Sequence, residues 1–335
     1  MITFSLLGAG RIGRVHANNV CRHPAARLSL IYDVDESAAR SLADKVGAGV
    51  ASSPDQIFQD GQVDAVIIGT PAETHASFVE DAARAGKAIF CEKPIDKDLV
   101  RTRQCLDIVK AHGVTLFLAF QRRFDPSFAA LRRRLLEGEV GTPEMLFLTS
   151  RDPAPPPIEF VRRSGGLFRD MMIHDFDMAQ WLLGAQPTKV FAVGGCFASP
   201  AIRELGFADT AVVTMTLESG VIANINCAMR ATYGYDQRVE VHGSQGMLAI
   251  GNRYETSVRK FNQDGIGHEL PLHFFIERYA QAYINELDYF IECLNTGRQP
   301  SPNGEDGFRS LQLAEAAHRS WLSGRPIELS EVSTR

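Results

Sequence analysis

Gly8-Ala9-Gly10-Arg11-Ile12-Gly13 lies directly after the apolar run Ile2–Leu7 and opens a helical stretch through Arg14–Val20. No other feature constrains the chain as much. A lone G-x-G-x-x-G is weak, but between a strand and a helix it has a physical use. Gly8 permits a tight turn, Gly10 lets backbone approach a pyrophosphate, and Gly13 lets the helix pack on the strand. The helix N-terminus, with Arg11 and Ile12 on its first turn, adds N–H donors and the positive end of the dipole. An acidic residue is then expected about 20 residues further on, at the end of the second strand. Asp33 ends Leu30-Ile31-Tyr32 at that spacing. A carboxylate there suits both hydroxyls of an adenosine ribose and repels a 2′-phosphate, so NAD is favoured over NADP. The nearest basic candidate for a 2′-phosphate is Arg40, on the following helix.

The rest of the first 120 residues keeps the same rhythm. Short apolar runs (Leu28–Tyr32, Val63–Ile68, Ala88–Cys91, Val114–Phe120) alternate with stretches of helical spacing at Ser37–Val46, Ala76–Ala85 and Leu99–His112. Strand–helix alternation implies a parallel sheet covered on both faces. After Asp125-Pro126 the pattern changes. Helical spacing runs to Glu137, a strand-like run Met145–Thr149 precedes a proline-rich loop, and Gly165-Gly166 leads into one helix from about Leu167 to Leu183. Beyond Pro187, runs at Val212–Leu217, Val221–Ala228, Val239–His242 and Met247–Ile250 are joined by Gly-containing turns. Period-two alternation with one polar face predicts an antiparallel sheet. Helical stretches at Phe274–Leu294 and Asp306–Leu322 close the chain. The predicted architecture is α/β. A doubly wound parallel Rossmann sheet occupies residues 1–121, and an α+β domain with an open, mostly antiparallel sheet occupies 122–335. The last helix is free to return to the first domain. An open sheet of this kind suits a homo-oligomer, dimer or tetramer.

Composition removes several classes. The net charge is −5 and no block of like charge is five long, which speaks against a nucleic-acid footprint. No apolar stretch reaches the roughly 18 residues of a membrane span, and the N-terminus lacks a signal-peptide pattern. Six scattered cysteines without a C-x-x-C pair argue against a zinc cage or disulfide framework. The expectation is a cytoplasmic, reduced protein without a metal.

Three polar groups stand out. Glu92-Lys93-Pro94 follows the strand Ala88–Cys91 at its carboxyl end, the edge where open α/β sheets hold ligands. A surface lysine after a strand is the commoner case, but one here places positive charge near a reacting oxygen. Thr70-Pro71 and His75 occupy the corresponding loop after Val63–Gly69, beside the expected nicotinamide half. Asp170, His174 and Asp177 sit at helical spacing in an otherwise apolar helix, so they are paired or line a cavity. A histidine held by a carboxylate is suited to take a proton near neutral pH.

Together these residues resemble the Gfo/Idh/MocA family of NAD(P)-dependent sugar and polyol dehydrogenases. The match covers nearly the whole chain: Gly8–Gly13, Thr70-Pro71 with His75, Glu92-Lys93-Pro94, and Gly165-Gly166 leading to Asp170 and His174. Ser150-Arg151-Asp152-Pro153, Ser164–Asp170, Ile173–Asp177 and Tyr233–Arg238 are similar to the inositol 2-dehydrogenase branch. The resemblance implies Lys93, Asp170 and His174 as catalytic residues and a Lys93–Pro94 bond that is often cis. It also implies NAD bound by Gly8, Gly10, Arg11, Ile12, Gly13, Asp33, Thr70, Pro71, His75, Glu92 and Lys93.

The expected reaction is oxidation of myo-inositol to its 2-keto product, with His174 as base. Arg122, Asp152 and Tyr235 join the catalytic three around the polyol. Two alternatives stand beside it: a related dehydrogenase for scyllo-inositol or an aldose, and a non-catalytic NAD-sensing regulator.

Overall fold

Six parallel strands make the first sheet of the computed structural model, which describes residues 1–332. They are β1 (Ile2–Leu7), β2 (Ala26–Tyr32), β3 (Gly49–Val50), β4 (Ala65–Ile68), β5 (Ala88–Glu92) and β6 (Leu116–Ala119), in the order β3-β2-β1-β4-β5-β6. The order reverses between β1 and β4, the switch point where ligands bind at the carboxyl ends of the strands. Helices start and stop where local chemistry dictates. Asp35, Ser53 and Asp98 accept backbone N–H bonds as N-caps of Glu36–Val46, Pro54–Gln59 and Leu99–His112. Gly47 and Gly113 close two of these helices in the left-handed conformation, which glycine adopts without a Cβ penalty.

The expected strands are all present. The sequence reading misses β3, whose two residues are too few to show a period. The core under this sheet includes Phe4, Leu6, Ile67, Phe90 and Phe117, and it also takes in Leu287, Phe290 and Ile291 from the helix Ala280–Thr296. That helix therefore belongs to the first unit. By contacts the described residues divide into Met1–Phe124 with Gln281–Leu311, and Asp125–Ala280 with residues 312–332. The segment that joins the first unit is Gln281–Leu311, whereas the expectation allowed such a return for the last helix. The expected single helix Phe274–Leu294 is broken at Tyr279 into Phe275–Arg278 and Ala280–Thr296.

The second unit is built on a seven-stranded sheet. Its strands are β7 (Pro143–Arg151), β8 (Lys189–Gly195), β9 (Thr210–Thr216), β10 (Ile222–Ala228), β11 (Asp236–Gly243) and β12 (Gly246–Ile250); β13 (Arg259–Asn262) and β14 (Gly265–His268) form a separate hairpin, and β15 (Ile327–Glu328) completes the sheet. The order is β12-β11-β7-β10-β9-β8-β15. The β7–β10 pair is parallel and the other pairs are antiparallel. Val190, Val213, Ala223, Ile225 and Leu146 are buried on one face. The other face leaves Phe147, Phe191, Val193, Val212 and Ile222 exposed, interspersed with Thr214, Asn224 and Asn226. All six cysteines are free thiols. Among the described residues, no helix is long and apolar enough to cross a membrane.

Candidate active site

In the first unit the glycine turn has the geometry its spacing predicts. Gly8 has φ +102°, and a Cβ there would lie 2.6 Å from the Gly69 carbonyl oxygen. A Cβ on Gly13 would lie 1.9 Å from the Gly8 oxygen. At Gly10 a Cβ would meet no atom within 4 Å. Gly10 caps the helix Arg11–Arg22 without a side-chain acceptor. The two crowded glycines allow the backbone to fold tightly, and the open one leaves a backbone cradle facing a helix N-terminus, which fits a pyrophosphate.

Asp33 stands against this turn. Its Oδ2 accepts from the Ala9 N–H at 2.7 Å and its Oδ1 from the Asp35 N–H at 2.9 Å. The carboxylate thus fixes the glycine loop and keeps further lone pairs for ribose hydroxyls. Arg40, the candidate for a 2′-phosphate, is drawn to Glu36 at 2.5 Å. The residues present fit NAD.

The Lys93–Pro94 peptide is cis. His75 ties this turn to the neighbouring loop: Nδ1 lies 2.7 Å from the Pro94 oxygen and Nε2 2.7 Å from the Thr70 oxygen. The ring is 2% exposed, and both nitrogens are engaged by backbone. His75 therefore organises the expected cofactor loops from beneath. Burial pulls its pKa down, against the two carbonyls and Glu92, which favour the protonated ring. Thr74 donates its hydroxyl to Thr70 Oγ1 at 2.7 Å. Glu92 Oε1 contacts His16 Nε2 at 2.7 Å. His16 and its buried neighbour Glu286 were not singled out by sequence. Their signal was faint: a histidine three residues past Gly13 and one acid on an apolar helix face. Arg122, in the turn Gln121–Phe124, is 5% exposed.

In the second unit the helix carrying Asp170 and His174 is not continuous. Leu167–Met171 forms a π turn, with the Met172 N–H bonded to the Leu167 oxygen at 2.9 Å, and an α-helix begins at Ile173. The i, i+4 relation expected between Asp170 and His174 is therefore altered by one extra residue in the turn. π turns of this kind recur at functional sites. Asp170 and His174 are partly exposed, whereas Asp175 and Asp177 are buried. Gly166, at φ +77°, leaves room for the Phe207 ring, which a Cβ would approach to 2.8 Å.

Asp152 is partly exposed at the end of β7. Tyr235 is 5% exposed and stands edge-on to Phe274 and Tyr279, with centroids 6.0 and 6.1 Å away. Packing thus accounts for much of its placement. The neighbouring signature residues form a polar network. Arg151 donates to the Tyr233 hydroxyl at 2.8 Å, which donates to Asp236 at 2.6 Å, and Arg238 and Asn252 donate to the same carboxylate. Burial pushes Asp236 up, but these bonds outweigh it and hold its pKa below the usual carboxylate range.

Two family models match the chain. "Oxidoreductase family, NAD-binding Rossmann fold" covers residues 2–120, and "Oxidoreductase family, C-terminal alpha/beta domain" covers residues 132–329. An inositol 2-dehydrogenase of Rhizobium meliloti (strain 1021) is 46% identical over 98% of this chain and 99% of its own length. The crystal structure of a myo-inositol dehydrogenase from Corynebacterium glutamicum superposes with a TM-score of 0.94 at 40% identity, covering 98% of this chain and 99% of that one. A scyllo-inositol dehydrogenase from Lactobacillus casei, solved with NAD(H) and scyllo-inositol, gives 0.92 at 29% identity, with 98% and 99% covered.

Proposed function

The chain belongs to the Gfo/Idh/MocA oxidoreductase family, and from that premise we propose that it is an NAD-dependent dehydrogenase oxidising a ring hydroxyl of a cyclic polyol, myo-inositol to its 2-keto product. The full-length likeness to inositol 2-dehydrogenases carries the substrate reading. The likeness to the scyllo-inositol enzyme is more distant and keeps that isomer as the second reading.

Oxidation breaks a C–H and an O–H bond and forms a carbonyl. When bound, NAD supplies the hydride acceptor. His174 takes the hydroxyl proton, and Asp170 holds the imidazole in the tautomer that can accept it and steadies the imidazolium that results. Lys93 presents positive charge to the developing alkoxide. Asp152 and Arg122 offer polar partners to the remaining hydroxyls. Pairing each hydroxyl gives discrimination that an apolar pocket does not. The cofactor is held by the backbone of Gly8–Gly13, the Asp33 carboxylate, and the Thr70-Pro71 and Glu92-Lys93 loops that His75 ties together. The exposed face with Phe147, Phe191, Val193, Val212 and Ile222 supports assembly of copies through the second sheet.

A panel assay tests the reading. NADH formation is expected with myo-inositol at a higher kcat/KM than with scyllo-inositol, glucose or galactose. Preference for scyllo-inositol would shift the substrate to the second reading, and tight NAD binding with no polyol oxidised would remove the catalytic one.

Asp33 gives a sharper test of the cofactor. Asp33→Ser is expected to raise the KM for NAD about tenfold or more, because it removes a charged acceptor worth about 1.5–3 kcal/mol. It also lifts the barrier to a 2′-phosphate, so the NAD to NADP preference narrows. An unchanged preference would take Asp33 off the ribose.

A further inference from the structure

Behind the Glu92-Lys93 turn lies a cluster that the reaction as described does not use. His16, on the helix Arg11–Arg22, is 1% exposed and contacts Glu92 Oε1 at 2.7 Å. Glu286, on the helix Ala280–Thr296, is 0% exposed, and neither of its carboxyl oxygens has a hydrogen-bond partner. One ligand-type atom from each of the three side chains lies within 4.8 Å of the other two. Phe90 and Tyr283 wall the His16 ring, with centroids 4.9 and 6.0 Å away. His16 from one helix and Glu92 from β5 face Glu286. Tyr283, one turn earlier on its own helix, faces the His16 ring.

Two ionised carboxylates this close in a water-excluded site repel strongly, and an unsolvated carboxylate without donors is costly. A protonated carboxyl relieves both problems. A divalent cation would relieve them too. However, two ligands about 2.0 Å from a tetrahedral zinc stand about 3.3 Å apart, and His16 Nε2 and Glu92 Oε1 are already at hydrogen-bonding distance.

We propose that Glu286 is a positioning residue: as a neutral carboxyl it closes a buried His16–Glu92–Glu286 cluster without adding a carboxylate charge to it, and so holds the Glu92-Lys93 turn in its working place. The proposal deepens the function above and rests on the role given there to Lys93. Burial raises the Glu286 pKa well above the ordinary value, and the nearby Glu92 adds to the rise. The linkage then has a definite sign. The native state keeps the Glu286 proton at pH values where the unfolded chain has lost it, so this group's contribution to stability is full below the unfolded pKa of about 4.3 and declines as pH rises toward the native value.

Two variants and two readouts test it. Glu286→Gln imitates the neutral carboxyl and is expected to keep kcat within about threefold, whereas Glu286→Leu, which has no polar group to meet Glu92, is expected to lower kcat about 10- to 100-fold with the KM for NAD unchanged. The Tm of Glu286→Gln relative to the parent is expected to increase steadily as pH rises above the ordinary carboxyl range. The melting readout needs no turnover, so it stands even if no polyol is oxidised and separates failure of this proposal from failure of the assigned reaction. The proposal is overturned by a Tm difference independent of pH, by a tenfold or larger loss of kcat in Glu286→Gln, or by a stoichiometric divalent metal in the purified protein that this variant no longer holds. If Glu286→Leu does not fold, Glu286→Gln still decides the matter.

Discussion

A His174→Ala variant is expected to turn its polyol over about 10²- to 10⁴-fold more slowly than the parent, the range that a positioned base contributes, while its affinity for NAD stays unchanged. The two effects separate because they arise on different parts of the chain. The glycine turn and Asp33, proposed to receive the dinucleotide, belong to the first unit, and His174 belongs to the second. A polyol hydroxyl is about as weak an acid as water, so hydride cannot leave its carbon readily unless a base takes the proton. Alanine leaves only water for that task. Asp170→Asn should act in the same direction by a smaller factor, since the base remains but its tautomer is no longer enforced. Turnover by NADH formation and NAD binding by calorimetry check both variants. A His174→Ala enzyme within about threefold of the parent turnover would remove the imidazole from the proton step.

The sheet of the first unit was legible because its central strands β1, β4, β5 and β6 are buried along nearly their whole length. Burial on both faces turns such a strand into a continuous apolar run, as in Val66–Ile68 and Ile89–Cys91, and such runs need no context to be read. The glycine turn was legible for a steric reason. Gly8 and Gly13 sit where a side chain would overlap backbone, so no other residue fills the pattern. The departures have physical causes as well. The π turn at Leu167–Met171 adds one residue to a helical turn without altering its apolar composition, so periodicity cannot reveal it. The break at Tyr279 falls in Phe275–Gln281, a stretch with no Gly or Pro to mark it. The buried carboxyl of Glu286 escaped because an acid on a helix that also carries the exposed Asp288 and Glu292 reads as part of the solvated face. Its burial comes from tertiary packing against the Phe90–Phe290 core. The ring of Tyr235, in a signature segment, stands against two other aromatics, a packing that its spacing in the sequence does not show.

Gly10→Val and Gly13→Ala are expected to fail in different ways, although both change a glycine of one six-residue turn. A Cβ at Gly13 lies 1.9 Å from the Gly8 oxygen and 2.9 Å from the Gly8 carbonyl carbon. Both are backbone atoms and cannot rotate aside, so the turn itself must open. Overpacking of this kind costs about 1–3 kcal/mol or more, and Tm should fall along with NAD affinity. At Gly10 the backbone is extended (φ −70°, ψ −164°), a conformation valine accepts, and a Cβ meets nothing within 4 Å. The parent fold should tolerate Gly10→Val with little change in Tm. The valine methyls would then occupy the space through which the pyrophosphate reaches backbone N–H groups. Losing one or two charge-assisted bonds there weakens NAD roughly 100-fold. Calorimetric melting and NAD titration of the two variants separate strain from obstruction. Parent-like NAD affinity in Gly10→Val would mean that the dinucleotide does not lie across this turn, and the cofactor assignment would have to move elsewhere in the first unit.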